Sequence, residues 1–323
     1  MCFIGDLQCD HNKFSRRYVL VVGSDGHGDR FSEITIPNLK VQLMSENKSP
    51  QAPDGKSMNW DTGTHDAFYS YYRDQSASPQ TRERFERIHR LLARLIDAGG
   101  TDKALNVADI GCGAGAQSFI WANHGHQVFG LDVSEQLIGL ARARTKDLRT
   151  LPAFMVGSAT TLPWTDGSMD LVLLPELLEH VPDWKSVVDE AIRVLKPGGM
   201  LYLSTTNKLC PKQQEFELFG YSWYPGFLKR HYERLARTSR PELANYAKYP
   251  AVNWFTYFGL RKYLAPRGFD CMDRFDAMDM SGKGAVSRAI HAVIRSVALI
   301  RYLAHFVVPS TVVVARKRKL HSR

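Results

Sequence analysis

The chain has no C-x-x-C pair, and none of its five cysteines (Cys2, Cys9, Cys112, Cys210, Cys271) joins histidines at zinc-ligand spacing, so no metal site is expected. An odd, scattered set of thiols points instead to reduced cysteines and a cytoplasmic setting. There is no internal repeat. Nor is there an unbroken apolar run of the roughly 18 residues that a membrane-spanning helix needs. The nearest approach, residues 296–315, is interrupted by Arg301, His305 and Pro309 and reads as a helix, a proline break and a strand. A secretory signal is not apparent: Asp6 and Asp10 stand near the start, and the apolar run at residues 18–22 is too short for a signal core.

The bulk properties are ordinary. The 323 residues suffice for one large domain with insertions or two modest ones. A hydrophobic share of 44% and a charged share of 23% suit a soluble globular protein. The formal charge of +9 favours an anionic partner, such as a nucleotide-linked substrate, a phospholipid surface or nucleic acid, and a generally basic surface accounts for it equally well.

Residues 1–55 are rich in Gly, Asp, Ser, Asn and Pro and read as a poorly ordered N-terminal extension in which residues 19–22 could pair as a strand. Met44 opens a stretch resembling an ordinary protein start, so residues 1–43 are expected to contribute little. Residues 56–100 predict a helical lid. Ser78-Pro79 is a cap followed by a first-turn proline, and Phe85, Ile88, Leu91, Leu92 and Leu95 then recur at helical spacing. Phe68, Tyr69, Tyr71 and Tyr72 precede it as packing or as a cover over a ligand. From Leu105 short strands alternate with helices: strands near 106–110, 127–132, 153–157, 169–174 and 200–205, and helices near 114–124, 135–144 and 181–195, the second capped by Ser134. Lys196-Pro197-Gly198-Gly199 reads as a tight turn. This alternation predicts an α/β fold with a doubly wound parallel sheet. Two insertions interrupt a single domain over residues 101–318. Residues 208–254 interleave aromatic and basic side chains, and residues 284–306 read as one amphipathic basic helix. A helix at 257–264, a strand near 269–275 and a final strand at 310–315 resume the core. Arg316-Lys317-Arg318-Lys319 reads as a basic tail, with residues 319–323 beyond the domain.

The most informative stretch is Val107-Ala108-Asp109-Ile110-Gly111-Cys112-Gly113-Ala114-Gly115, an apolar strand running into a glycine turn. Glycines let the backbone approach a ligand closely. The next strand ends on Asp132, which can accept hydrogen bonds from two ribose hydroxyls. Gly111, Gly113 and Ala116 also satisfy the loose dinucleotide pattern. Asp109 decides between the readings: a carboxylate there repels a pyrophosphate and attracts an ammonium group, which favours S-adenosylmethionine over NAD. Cys112 is expected to be a small filler rather than a nucleophile.

Five motifs in order carry a family resemblance: residues 107–115; Asp132; Gly157-Ser158-Ala159-Thr160-Thr161-Leu162-Pro163-Trp164; Gly167-Ser168-Met169-Asp170-Leu171-Val172; and Leu178-Glu179-His180-Val181 with Leu195-Lys196-Pro197-Gly198-Gly199. Together they resemble class I S-adenosylmethionine-dependent methyltransferases, most closely the small-molecule branch, with similarity to quinone-biosynthesis and polysaccharide-pathway methyltransferases, over residues 81–268 plus the closing strand. The resemblance implies a Rossmann-like seven-stranded sheet with helical insertions and an antiparallel last strand, and S-adenosylmethionine as cofactor. It places Asp109, Gly111, Gly113 and Gly115 at the turn that holds the methionine part, Asp132 at the ribose, and Val133, Ser158 and Ala159 around adenine. Pro175 and Glu176 then line cofactor and acceptor. Ser158 departs from the family's usual aspartate there, and its hydroxyl accepts more weakly.

Methyl transfer is an in-line displacement in which alignment dominates, and a hydroxyl acceptor needs a base. His180, just past the strand at 169–174, is the candidate base, with a local helix-entry role as the alternative. Glu176 is a second base candidate or a cofactor contact. Glu179 is expected to be solvated or helix-capping, and His231 to be a surface histidine. The insertion at 208–254 is expected to be mostly inward packing, with Arg and Lys available to a phosphate or carboxylate. The reading is methyl transfer to a hydroxyl of a small molecule, a glycan or a lipid-linked precursor. Alternatives are an RNA methyltransferase, argued against by the missing N/D-P-P-Y/F motif, and a quinone or lipid enzyme in peripheral contact with a membrane through residues 284–306.

Overall fold

The computed structural model describes residues 18–20, 32–34, 73–97, 103–145, 148–212, 215–216, 218–244 and 251–319. The expectations for residues 1–55 and for Phe68, Tyr69, Tyr71 and Tyr72 fall outside these, apart from a short ribbon in which Tyr18–Leu20 pairs antiparallel with Ser32–Ile34. The chain divides into two compact units; the larger, residues 46–162 and 166–323, holds the main sheet and the candidate site.

Seven strands build that sheet: β1 (Asn106–Ile110), β2 (Gln127–Asp132), β3 (Ala153–Val156), β4 (Met169–Pro175), β5 (Leu195–Thr206), β6 (Phe269–Asp273) and β7 (Ser310–Lys317). Their order is β3-β2-β1-β4-β5-β7-β6. Strands β1 to β5 run parallel to one another, and β7 inserts antiparallel between β5 and β6. The central strands are buried nearly end to end, as a sheet covered on both faces requires. Val107, Leu171, Leu173, Met200 and Val314 pack with Trp121 and Leu92 from helices into one core.

The helices bracket the strands as expected. In α1 (Pro79–Asp97) the Ser78 hydroxyl accepts from the Thr81 amide at 3.2 Å, and Phe85, His89 and Leu92 form the buried face. Next comes α2 (Ala116–Asn123), and then α3 (Glu135–Ala143), whose Ser134 cap accepts from the Leu137 amide. α4 (Trp184–Val194) starts later than its apolar pattern suggests, because Asp183 caps it through the Ser186 amide.

Three expectations are corrected. Lys196-Pro197-Gly198-Gly199 lies inside β5 as a bulge rather than ahead of it: Met169 faces Leu195, but Leu171 faces Met200. The Lys196 ammonium holds Asp170 at 2.7 Å across that bulge. The 284–306 insertion is two helices, not one. After α5 (Gly226–Thr238), α6 (Tyr257–Leu264) and α7 (Arg274–Ala277), α8 (Ala285–Ser296) and α9 (Ala298–Ala304) meet at an angle of 109°. Val297 between them is extended (φ −107°, ψ 109°). The bend lets Arg301 reach Asp273 at 2.8 Å and also Asp276. Burial works to raise the Asp273 pKa, yet hydrogen bonds from His305 and Arg301 hold it down at about 2. Finally, the basic run is structural. Arg316 and Lys317 belong to β7, where the Lys317 ammonium donates to the carbonyls of Ile192 and Leu195 (2.8 and 2.7 Å), and Arg316 donates to that of Leu95.

Candidate active site

The carboxyl ends of the adjacent parallel strands β1, β2 and β4 lie together at one end of the sheet, the place where doubly wound sheets bind ligands. The turn after β1 is sewn to β2, since the Gly111 and Cys112 amides both donate to the Leu131 carbonyl (2.7 and 3.1 Å). Gly113 has φ +52°, and a Cβ there would meet nothing within 4 Å, so the turn presents open backbone. Its amide donates to Asp132 Oδ2 at 2.8 Å, while the Ser134 amide donates to Oδ1 at 2.9 Å. Gly115, at φ +83°, caps α2, and a Cβ would lie 2.8 Å from Phe119 and 2.9 Å from Phe154. Its need for glycine is therefore conformational and steric, from inside the fold. A Cβ on Gly111 would lie 2.9 Å from the Leu177 side chain, which brings the loop after β4 over the turn. Cys112 packs against Ile138, Ala141 and Phe154, and burial pushes its thiol pKa well up, so it is a filler.

Beneath the turn lie unsatisfied polar atoms. Asp109 is fully buried; its Oδ2 accepts from the Ser118 hydroxyl at 2.5 Å, and its Oδ1 has no hydrogen-bond partner. Burial raises its pKa to about 7, with the Ser118 hydrogen bond opposing. Gln117, in the first turn of α2, is 2% exposed with neither amide atom hydrogen-bonded. On the rim, Val133 is 43% exposed beside Asp132. The Ser158 hydroxyl pairs with that of Thr160 at 2.8 Å and accepts from the Thr160 amide; Ala159 beside it is half-buried.

The loop after β4 forms the other wall. Pro175 ends the strand opposite Ser204. Glu176 has φ +53°, the only non-glycine positive φ among the described residues; its amide donates to the Ser204 carbonyl, and its carboxylate accepts from Arg84 Nη1 at 2.6 Å. Glu179 corrects its expected solvated role. It is 1% exposed and accepts from the Thr205 hydroxyl at 2.8 Å. Burial, then the nearby Glu215, raises its pKa well above the usual range. His180 Nε2 lies 3.7 Å from Glu215 Oε2. Burial raises the Glu215 pKa as well, against the pull of His180. Glu179, His180 and Glu215 each offer one ligand atom within 4.8 Å of the others. This set has the chemistry to hold a proton or a divalent cation, and cysteine and histidine spacing gave no sign of it.

A family profile described as "Methyltransferase domain" matches residues 108–203. The chain is 34% identical over 154 residues to a "Ubiquinone biosynthesis O-methyltransferase" of Dechloromonas aromatica (46% of this chain, 66% of that protein). It is 34% identical over 148 residues to the protein of the same name in Albidiferax ferrireducens (44% and 57%). It thus spans less than two thirds of the length of either relative. A solved S-adenosylmethionine-dependent methyltransferase from Mesorhizobium loti aligns at 20% identity and TM-score 0.45, over 66% of this chain and 91% of that one. The chain carries a class I S-adenosylmethionine-dependent methyltransferase domain.

The methyltransferase domain fits its methyl donor on its own polar inventory. Asp109 Oδ1 and the Gln117 amide are unsatisfied buried groups at the turn, as a ligand with an amino-acid end requires. The Asp132 carboxylate, at the end of β2, has backbone partners, the Gly113 and Ser134 amides. Gln117 was missed because a lone glutamine in a helix carries no sequence signal. Arg84, Thr205 and Glu215 were missed because they reach the site from distant segments. Within the 208–254 insertion, Phe216, Tyr221, Tyr224, Tyr232 and Trp254 pack inward as expected, and the Lys229 ammonium sits 4.4 Å over Trp254 and donates to the Ser222 carbonyl. His231 is exposed, as expected.

Proposed function

We propose that this chain is an O-methyltransferase acting on a small molecule whose reacting hydroxyl is uncharged and lies against the wall formed by Glu176, Glu179, His180 and Glu215. When bound, S-adenosylmethionine supplies an electrophilic methyl group. Asp132 would hold the ribose, Val133, Ser158 and Ala159 the adenine, and Gly111, Gly113, Asp109 and Gln117 the methionine end, with Pro175 and Leu177 closing over it. Gly115 supports the turn from behind. His180 takes the hydroxyl proton, and Glu215 at 3.7 Å orients its imidazole and stabilises the charge it gains. Leu177 and Pro175 exclude water from the reacting atoms.

The observation that carries this reading is the convergence of three carboxyl groups and one imidazole at the end of β4. Such a wall offers proton acceptors and keeps its nearby cation, Arg84, on Glu176, so it suits a neutral hydroxyl, as on a ring, better than a phosphate. The relatives' name, ubiquinone biosynthesis O-methyltransferase, agrees with it. A glycan or lipid-linked precursor fits only with its phosphate held away from Glu176. A nucleic-acid acceptor is disfavoured for the same reason, and because Arg316 and Lys317 are engaged within the fold.

A second feature favours peripheral contact with a lipid surface. Val286, Ile290 and Val293 of α8, with Leu299 and Leu303 of α9, are all exposed, and Arg288 and Arg295 share the first of these helices. No single helix among the described residues is long and apolar enough to cross a membrane.

Incubation with methyl-labelled S-adenosylmethionine and either a catechol or a sugar nucleotide tests the acceptor. The reading expects label in an O-methyl group of the catechol and loss of transfer with His180→Ala. Transfer to the sugar nucleotide alone, or an undiminished rate in the variant, would overturn it.

A further inference from the structure

A second cluster of ionisable groups lies at the opposite edge of the sheet, where β1 and β2 begin. His89, on the inner face of α1, is 5% exposed, and neither of its ring nitrogens has a hydrogen-bond partner. A buried imidazole left unsatisfied on both sides keeps the full desolvation cost of both nitrogens, so a partner for it is expected. Glu86 stands three residues earlier on α1, hence on the same face. His124 follows the last turn of α2; its ring stacks on that of His89 at 3.8 Å between centroids, and its Nε2 lies 3.9 Å from Glu86 Oε2. One ligand atom from each of Glu86, His89 and His124 falls within 4.8 Å of the other two.

We propose that Glu86, His89 and His124 form a zinc-type metal site that clamps α1 to the end of α2. Two imidazoles and a carboxylate are a donor set for a borderline first-row dication. Tetrahedral zinc, with bonds of roughly 2.0–2.1 Å, places its ligand atoms about 3.4 Å apart. His89 is held by its edge-on contact with Trp121 at 4.5 Å, so metal binding requires the half-exposed His124 ring to turn out of its stacked position, planes 19° apart, and the Glu86 carboxylate to follow it. His126, though near, is not a ligand. Its Nδ1 accepts from the Leu105 amide at 3.3 Å, which in a neutral ring leaves the proton on Nε2. Water from the exposed side of His124 fills the fourth position.

The consequence reaches the cleft. Arg84, one half-turn before Glu86 on the same helix, is the group that bonds Glu176. A metal holding α1 in place thereby fixes the helix that delivers Arg84 to the candidate active site.

The test uses the full chain, stripped of metal and carrying His180→Ala with Glu215→Gln, so that the pocket beside β4 cannot supply the binding. Calorimetric titration with Zn2+ is expected to show one equivalent bound and a raised melting temperature. Adding His124→Ala, at an exposed position that does not endanger the fold, is expected to weaken binding at least about tenfold and abolish the thermal shift. His89→Phe, which keeps the ring volume, should do the same. If His89→Phe fails to fold, Glu86→Gln takes its place beside His124→Ala. Absence of a Zn2+ equivalent in this background, or an affinity unchanged by His124→Ala together with its companion, would overturn the proposal.

Discussion

Arg84 Nη1 donates to Glu176 Oε1 at 2.6 Å, tying the first helix of the domain to a glutamate whose backbone sits in the left-handed region. That conformation costs an L-residue about 1–2 kcal/mol, and retained strain of this kind concentrates at functional positions. Glu176→Gly is therefore expected to leave the denaturant midpoint unchanged or raise it, while turnover falls at least tenfold, because the reacting wall loses a carboxylate and Arg84 loses its partner. Urea unfolding and a methyl-transfer assay on the same variant read both arms. A lower midpoint with unchanged turnover would contradict the assignment.

Glu179 gives a pH signature. Its folded pKa is raised, first by burial and then by Glu215, so the folded chain holds this proton more tightly than the unfolded one. The stability it contributes is full at low pH and is lost as pH climbs from the ordinary carboxylate range through the raised value. Melting temperatures between about pH 5 and about pH 9 should fall more steeply for the wild type than for Glu179→Gln, whose amide keeps a Thr205 partner without titrating. Parallel slopes would show that Glu179 does not carry its proton into the fold.

The exposed apolar faces of the two bent helices predict lipid binding. The chain should float with vesicles containing anionic lipid, and Ile290→Asp combined with Leu303→Asp should leave it in the dense fraction with an unchanged melting temperature, since both side chains are more than half exposed. Equal recovery of variant and wild type with the vesicles would remove the membrane reading.

The parts of this protein legible in the sequence are those with a local signal. Alternating apolar strands, the cap at Ser134 and the glycine turn ahead of α2 locate the sheet and its helices, because each depends on neighbours a few residues away. The two helices within 284–306 read as one in sequence, since their composition is continuous and the contact that accompanies the bend, Arg301 on Asp273, spans 28 residues. Glu179 reads as solvated or helix-capping for the same reason: its partners, Thr205 and the Val252 and Asn253 amides that cap its carbonyl, lie far along the chain. The run 316–319 looked like a free tail because nothing in it shows that β7 threads between β5 and β6. The second wall of the cleft is assembled from residues 84, 176, 179, 180, 205 and 215, and only the fold joins them.

The central claim is that the turn after β1 and Asp132 hold S-adenosylmethionine, and calorimetric titration with its stable demethylated product, S-adenosylhomocysteine, tests it most directly. The wild type is expected to bind one equivalent, and Asp132→Ala to bind at least about tenfold more weakly, as loss of charge-assisted ribose hydrogen bonds entails, with an unchanged circular dichroism spectrum. No binding by the wild type, or equal binding by the two proteins, would contradict the account.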